Sequence, residues 1–183
     1  SDALPALWAK SAAEYRAALG GFCTELAYGP DDRQRLDLIL PEGPAKGLFV
    51  FVHGGYWLAF GKSDWTHLAA GARARGWAVA MPQYRLAPEA TLTQMVADVA
   101  SAIAVAAGRV AGPIRLAGHS AGGHLVTRMI CDDSALAVLD RLDHVVSISG
   151  LHELRPLLRT RANEELRLTD ASRAVLTGKQ NVL

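Results

Sequence analysis

Residues 114–131, Ile114-Arg-Leu-Ala-Gly-His-Ser-Ala-Gly-Gly-His-Leu-Val-Thr-Arg-Met-Ile-Cys131, decide how this chain is read. Within them Gly118-His119-Ser120-Ala121-Gly122 is a G-x-S-x-G element between a short apolar run and a helical pattern. That is the setting of a nucleophile elbow, a sharp strand-to-helix turn that lifts the serine Oγ clear of the sheet edge. The flanking glycines fit, because a Cβ at either position would collide with the crossing backbone. Three fixed small residues recur by chance in about one chain in twenty of this length, so the element needs support from elsewhere.

Support lies upstream. Leu48-Phe-Val-Phe-Val52 runs directly into His53-Gly54-Gly55-Tyr56-Trp57, an H-G-G type of sequence that supplies oxyanion-hole amides. The two motifs follow in the expected order, each at the end of an apolar run. Ser120 is therefore the candidate nucleophile. Ala121, the residue after it at the helix start, offers its N–H to the oxyanion.

The flanking pattern predicts an α/β fold. Residues 5–19 carry Trp8, Ala12, Tyr15 and Leu19 on one helical stripe, stopped by Gly20-Gly21. Residues 23–28 and 35–40 read as strands of an antiparallel hairpin around Gly29-Pro30-Asp31-Asp32. Runs at 48–52, 77–81, 114–117 and 145–148 are continuously apolar, the mark of parallel strands covered on both faces. Helical patterns separate them. One is capped by Ser63, carries Trp65, Leu68 and Ala72, and closes at Gly76. A second opens on the capping-box pair Thr91 and Gln94, carries Met95, Val96, Val99 and Ile103, and stops at Gly108. A third starts at the elbow with Leu125, Val126, Met129 and Ile130 inward. Such alternation gives a mostly parallel sheet with helices on both faces. Residues 151–173 mix five arginines with acids and read as a solvated helical segment, or as a lid within 151–176 over the site.

Bulk numbers bound the function. At 183 residues, half of them hydrophobic, the chain is expected to form one domain over 1–183. A net charge of +1 gives no long-range field for nucleic acid or an anionic membrane. No apolar run approaches the ~18 residues of a membrane span. Cys23 and Cys131 lack metal-ligand spacing and form no disulfide framework, which suits a reducing, cytoplasmic setting. No metal cluster or phosphate-cradling glycine loop is legible, so no cofactor is expected.

With both motifs in place, the chain resembles the alpha/beta-hydrolase superfamily in its hormone-sensitive-lipase-like branch. It is most similar to the arylformamidase (kynurenine formamidase) group and related bacterial esterases. The residues carrying the likeness are His53-Gly-Gly-Tyr-Trp57, Tyr84-Arg-Leu-Ala-Pro-Glu89, Gly118-His-Ser-Ala-Gly-Gly-His-Leu125, and Ser149-Gly150 followed by Leu154-Arg-Pro-Leu-Leu158, Thr160 and Asn163. The resemblance implies a serine hydrolase of small carboxylic esters or N-formyl aryl amides, working through an acyl-enzyme on Ser120. It implies Gly55 and Tyr56 as further oxyanion donors, Gly54 as the residue permitting the turn, and His53 as a brace. Tyr56, Trp57 and His119 are the candidate pocket residues, and His152 an alternative base. Such hydrolases carry serine, then acid, then histidine in chain order. The acid and histidine loops are not visible here, so the chain is expected to lack its last strands. The other reading is then a catalytically silent scaffold or binding module. Truncation would also leave residues 145–149 as an open sheet edge, inviting a homodimer.

Overall fold

The computed structural model describes residues 3–131 and 133–169. Helix α1 (Ala3–Leu19) ends at a short 3-10 turn, Gly20–Phe22, and leads into β1 (Cys23–Ala27) and β2 (Arg35–Ile39). These two strands pair antiparallel, from Cys23 opposite Ile39 to Ala27 opposite Arg35, as the turn signal predicts. Strands β3 (Leu48–Val52), β4 (Ala78–Pro82), β5 (Ile114–His119) and β6 (Leu142–Ile148) complete a six-stranded sheet of order β1-β2-β4-β3-β5-β6. The β3–β4, β3–β5 and β5–β6 pairs are parallel, and β2 joins β4 antiparallel.

Alternation along each strand sends side chains into two cores. Leu48, Val50, Val52, Ala80 and Leu116 face α3 (Leu92–Ala107) and α4 (Ala121–Arg128). Phe51, Val79, Met81 and Ala117 face the other way, toward Leu19 of α1 and Trp65. The Thr91 capping box holds: Thr91 Oγ1 accepts the Gln94 N–H at 3.3 Å, and Gln94 Oε1 accepts the Thr91 N–H at 2.8 Å. Along the elbow helix Leu125, Val126 and Met129 are buried as expected, whereas Ile130 lies past its end and is exposed.

One expectation needs correction. The helix read from Ser63 to Gly76 is broken into 3-10 turns, Lys62–Asp64 and Thr66–Ala69, before the short α2 (Ala70–Arg73). Ser63 caps nothing; the Asp64 carboxylate accepts the Gly61 N–H at 2.9 Å instead. The cause is a buried ion cluster. Lys62 Nζ donates to Asp37 Oδ1 at 2.8 Å and to Glu25 Oε2 at 2.7 Å, pinning the segment to the sheet before a helix can form. Arg16 of α1 completes the charge balance on the fully buried Asp37, its Nη2 donating to Oδ1 at 3.0 Å.

Residues 151–169 are the described part of the stretch read as a solvated helical segment or as a lid. They fold into a 3-10 turn, Arg155–Arg159, and the one-turn α5 (Asn163–Leu166), and Leu154, Leu157, Leu166 and Leu168 sink into the α3/α4 core. Asn163 closes the segment, accepting the Leu168 N–H at 2.7 Å and donating to the Leu168 carbonyl at 3.2 Å. The rest of the expected lid, 170–176, lies outside the described residues. Among the described residues β6 is an edge of the sheet, with Val146 and Ile148 exposed by 51% and 45%.

Candidate active site

Strand order reverses at β3, which has β4 on one side and β5 on the other. In open parallel sheets the crevice at the carboxyl ends of such a pair is where ligands sit. The loop after β3 and the elbow after β5 both open onto that crevice.

The elbow is built by sterics. Ser120, between β5 and α4, has φ 53° and ψ −116°. Such a backbone costs about 1–3 kcal/mol in a residue with a side chain and persists only when its surroundings fix it. The Ser120 N–H donates to the Ile148 carbonyl at 2.9 Å, and its own carbonyl accepts the His124 N–H at 3.2 Å. A Cβ at Gly118 would lie 2.8 Å from the Gly123 nitrogen and strike the Gly122 carbonyl. One at Gly122 would strike the Val52 carbonyl and sit 2.5 Å from the His53 oxygen. Both glycines therefore answer the contacts inferred for them. Ser120 remains partly exposed at the edge rather than sunk in the core.

The loop after β3 presses against this elbow. A Cβ at Gly54 would stand 2.8 Å from the His119 carbonyl oxygen and 3.1 Å from Ser120 Cβ. Beyond it the chain takes three consecutive left-handed residues, Gly55 (φ 123°), Tyr56 (φ 53°) and Trp57 (φ 60°). The Gly55 carbonyl turns inward and accepts the N–H groups of Leu58 and Ala59 at 3.0 and 3.1 Å. Among the described residues, the N–H groups of Gly55, Tyr56 and Ala121 donate to no main-chain acceptor. Three donors therefore stay free in two segments that Gly54 brings into contact.

The left-handed turns also separate two neighbours that the sequence treats alike. Tyr56 points out, 52% exposed, while Trp57 turns in, 0% exposed, and meets His124 edge-on at 5.4 Å. Tyr56 is available to line a pocket; Trp57 is core beneath the loop, which corrects its expected place. His119 is half-buried and leans on Trp65 at 6.2 Å, in an aromatic group that includes Trp8 and Phe60.

His53 is buried under the loop. Its ring stacks on Tyr84 at 4.4 Å, Nδ1–H donates to the Gly54 carbonyl at 2.8 Å, and the Tyr84 hydroxyl donates to the His53 carbonyl at 3.0 Å. Burial pulls its pKa down to about 4, so the imidazole is neutral. A neutral ring donating to the glycine turn is a brace. Because the folded-state pKa lies below the unfolded value near 6.5, this group's contribution to stability is complete above about pH 6.5 and drains away as pH falls toward 4. Urea unfolding of the parent chain and His53→Asn should therefore show the parent losing about 3 kcal/mol more between those pH values. Parallel pH profiles for the two would contradict the neutral, buried ring.

His152 makes no hydrogen bond to Ser120 among the described residues. Its Nε2 lies 3.0 Å from Ser147 Oγ and its Nδ1 3.4 Å from Thr127 Oγ1. Among the described residues, no histidine or carboxylate hydrogen-bonds the Ser120 side chain, and no three His, Cys, Asp or Glu side chains converge as a metal site. Among the same residues, no helix is long and apolar enough to cross a membrane.

Three residues frame the site without a role assigned to them in the sequence, Tyr84 being quoted only within the Tyr84–Glu89 likeness. Arg33, at the hairpin tip, donates to the Phe60 carbonyl at 2.6 Å and to the Tyr84 carbonyl at 2.9 Å. Tyr84 itself is fully buried. Asp98, buried on α3, takes Arg85 Nε at 2.9 Å and Nη2 at 2.7 Å, with Gln34 Nε2 at 2.8 Å. Only Asp98 leaves a signal: a carboxylate on the apolar stripe of Met95 and Val99 needs a buried partner.

Comparison with known proteins agrees with this fold. The family model described as alpha/beta hydrolase fold matches residues 49–181, well over half of the chain. Kynurenine formamidase of Danio rerio is 29% identical over 167 residues, covering 88% of this chain and 57% of that protein. An isoprenylcysteine alpha-carbonyl methylesterase of Arabidopsis thaliana is 33% identical over 108 residues, 55% of this chain and 25% of its own length. A crystal structure from Silicibacter sp. TM1040, described as that of a candidate thioesterase, superposes with a TM-score of 0.94 at 49% identity, over 97% of this chain and 69% of that one. The chain spans little more than half the length of the formamidase.

Proposed function

This chain belongs to the alpha/beta hydrolase fold family, and on that premise we propose that it carries the nucleophile of a serine hydrolase of small carboxylic esters or N-formyl aryl amides. The observation that carries the reading is the strained Ser120 backbone, φ 53° and ψ −116°, held at a strand-to-helix junction against the loop of free amides. Strain of this kind is kept where it serves a reaction. The kynurenine formamidase and methylesterase relatives support acyl transfer as the chemistry.

In the proposed reaction Ser120 Oγ attacks the substrate carbonyl, and its proton passes to a base. By family resemblance this is a histidine steadied by an acid, both later in chain order than Ser120. The N–H groups of Gly55, Tyr56 and Ala121 hold the oxyanion, each donor contributing about 3–4 kcal/mol. Collapse of the tetrahedral adduct breaks the bond to the alcohol or aryl amine, which leaves with a proton. Water then attacks the acyl-serine and releases the acid, returning the proton to Ser120.

The test is hydrolysis of N-formylkynurenine beside p-nitrophenyl esters by the parent chain and Ser120→Ala. The variant should lose about a thousandfold or more of the rate while melting at the same temperature. Equal rates would end the serine mechanism. Turnover of the esters but not of the formamide would move the substrate class to esters.

A further inference from the structure

We propose that Arg33 is a positioning residue for the proposed reaction, clamping both ends of the oxyanion loop from the tip of the N-terminal hairpin. The loop from His53 to Phe60 contains three non-glycine residues at positive φ, namely Tyr56, Trp57 and Phe60 (φ 70°). Each costs about 1–3 kcal/mol unless the surroundings fix it, so something outside the loop must hold it. One guanidinium reaches both ends. Arg33 Nη2 donates to the Phe60 carbonyl at 2.6 Å, where the loop closes. Its Nε donates to the Tyr84 carbonyl at 2.9 Å, and Tyr84 in turn stacks on His53 and donates to the His53 carbonyl at 3.0 Å, where the loop opens. The Phe60 ring sits where a Cβ on Gly55 would meet it at 2.8 Å, so fixing Phe60 also fixes the first oxyanion glycine.

The clamp has a rigid base. The Arg33 N–H is held by Asp31 Oδ1 at 2.8 Å, and the hairpin is tied to the following loop by the Gln83 N–H donating to the Arg35 carbonyl at 2.9 Å and by the Tyr28 hydroxyl on the Gln83 carbonyl. A planar guanidinium with divergent N–H groups suits two carbonyls on separate segments, which a single ammonium point charge does not.

The catalytic meaning of the clamp rests on the serine-hydrolase reading; its mechanical meaning does not, and the experiment separates them. Amide hydrogen exchange reports the loop through Leu58 and Ala59, whose N–H groups donate to Gly55, and through Ala87, whose N–H donates to the Trp57 carbonyl at 2.9 Å. In Arg33→Met these three amides should exchange about tenfold faster or more, the scale of a lost charge-assisted hydrogen bond, with the amides of β3 and β5 unchanged. Arg33→Lys should fall between parent and Arg33→Met, and it decides the matter alone if Arg33→Met does not fold. In a hydrolysing parent, Arg33→Met should lower kcat about tenfold and leave KM in place, because the loop touches the transition state. Unchanged exchange at Leu58, Ala59 and Ala87 overturns the clamp. So does Arg33→Lys behaving like Arg33→Met in exchange and like the parent in kcat. A parent that hydrolyses nothing refutes the proposed function, while the exchange result still stands for or against the clamp.

Discussion

Gly122→Ala is expected to destabilise the folded chain by about 3 kcal/mol or more, whereas Gly43→Ala shifts stability by less than about 0.5 kcal/mol. A β-carbon at 122 meets main chain on every near side: it strikes the Val52 carbonyl, lies 2.7 Å from the Val52 carbonyl carbon and 2.5 Å from the His53 oxygen. No flexible side chain is there to swing away. Relief requires moving α4 off the end of β3, which would break the contact between the elbow and the His53 loop. A Cβ at Gly43 meets nothing within 4 Å. For a chain of this size the first change should lower the melting temperature by about 6–12 °C and the second by a degree or two. Matching melts for both variants would mean that α4 does not pack on the β3 end as described.

Much of this architecture was legible because it rests on periodicity and on backbone sterics. The continuous apolar runs are β3 to β6, and the glycines of the elbow sit where a Cβ has no room. The hairpin followed from Gly29-Pro30-Asp31-Asp32, and the start of α3 from Thr91 and Gln94. Failures came where long-range contacts overrode local pattern. The 63–76 stretch has helical spacing, yet Lys62 is pulled to Asp37, 25 residues earlier in the chain, and the segment is spent on 3-10 turns. Trp57 differs from Tyr56 only through successive positive φ angles, which no local residue preference announces. The leucines at 154, 157, 166 and 168 are spread among arginines and acids, so their shared burial appears only once the chain is folded. Arg33 is the sharpest case. At a hairpin tip it reads as a solvated cation, and its partners are carbonyls 27 and 51 residues away. A carbonyl is present at every residue and so leaves no mark in a sequence.

The same logic explains what the family resemblance added. Spacing alone proposes a serine on a turn; the likeness assigned the Gly55 and Tyr56 amides, and the structure leaves those N–H groups without main-chain partners among the described residues. It also marked His53 as a brace, which suits a buried neutral ring whose Nδ1 is spent on Gly54.

The second large effect is expected at Ser120 itself. A fluorophosphonate reacts with a serine when its Oγ is accessible and amide donors hold the phosphoryl oxygen on which charge builds in the five-coordinate transition state; fluoride then leaves, the serine proton is lost, and a phosphonyl ester remains on Oγ. Labelling is therefore expected to be confined to one position and all-or-none between parent and Ser120→Ala. Intact-mass and peptide analysis of the folded parent chain after exposure to a fluorophosphonate should find a single phosphonyl group on the tryptic peptide spanning residues 116–128, and none on the equally folded variant. An unlabelled parent, or equal labelling of the two, would show that the hydroxyl raised on the elbow is no nucleophile.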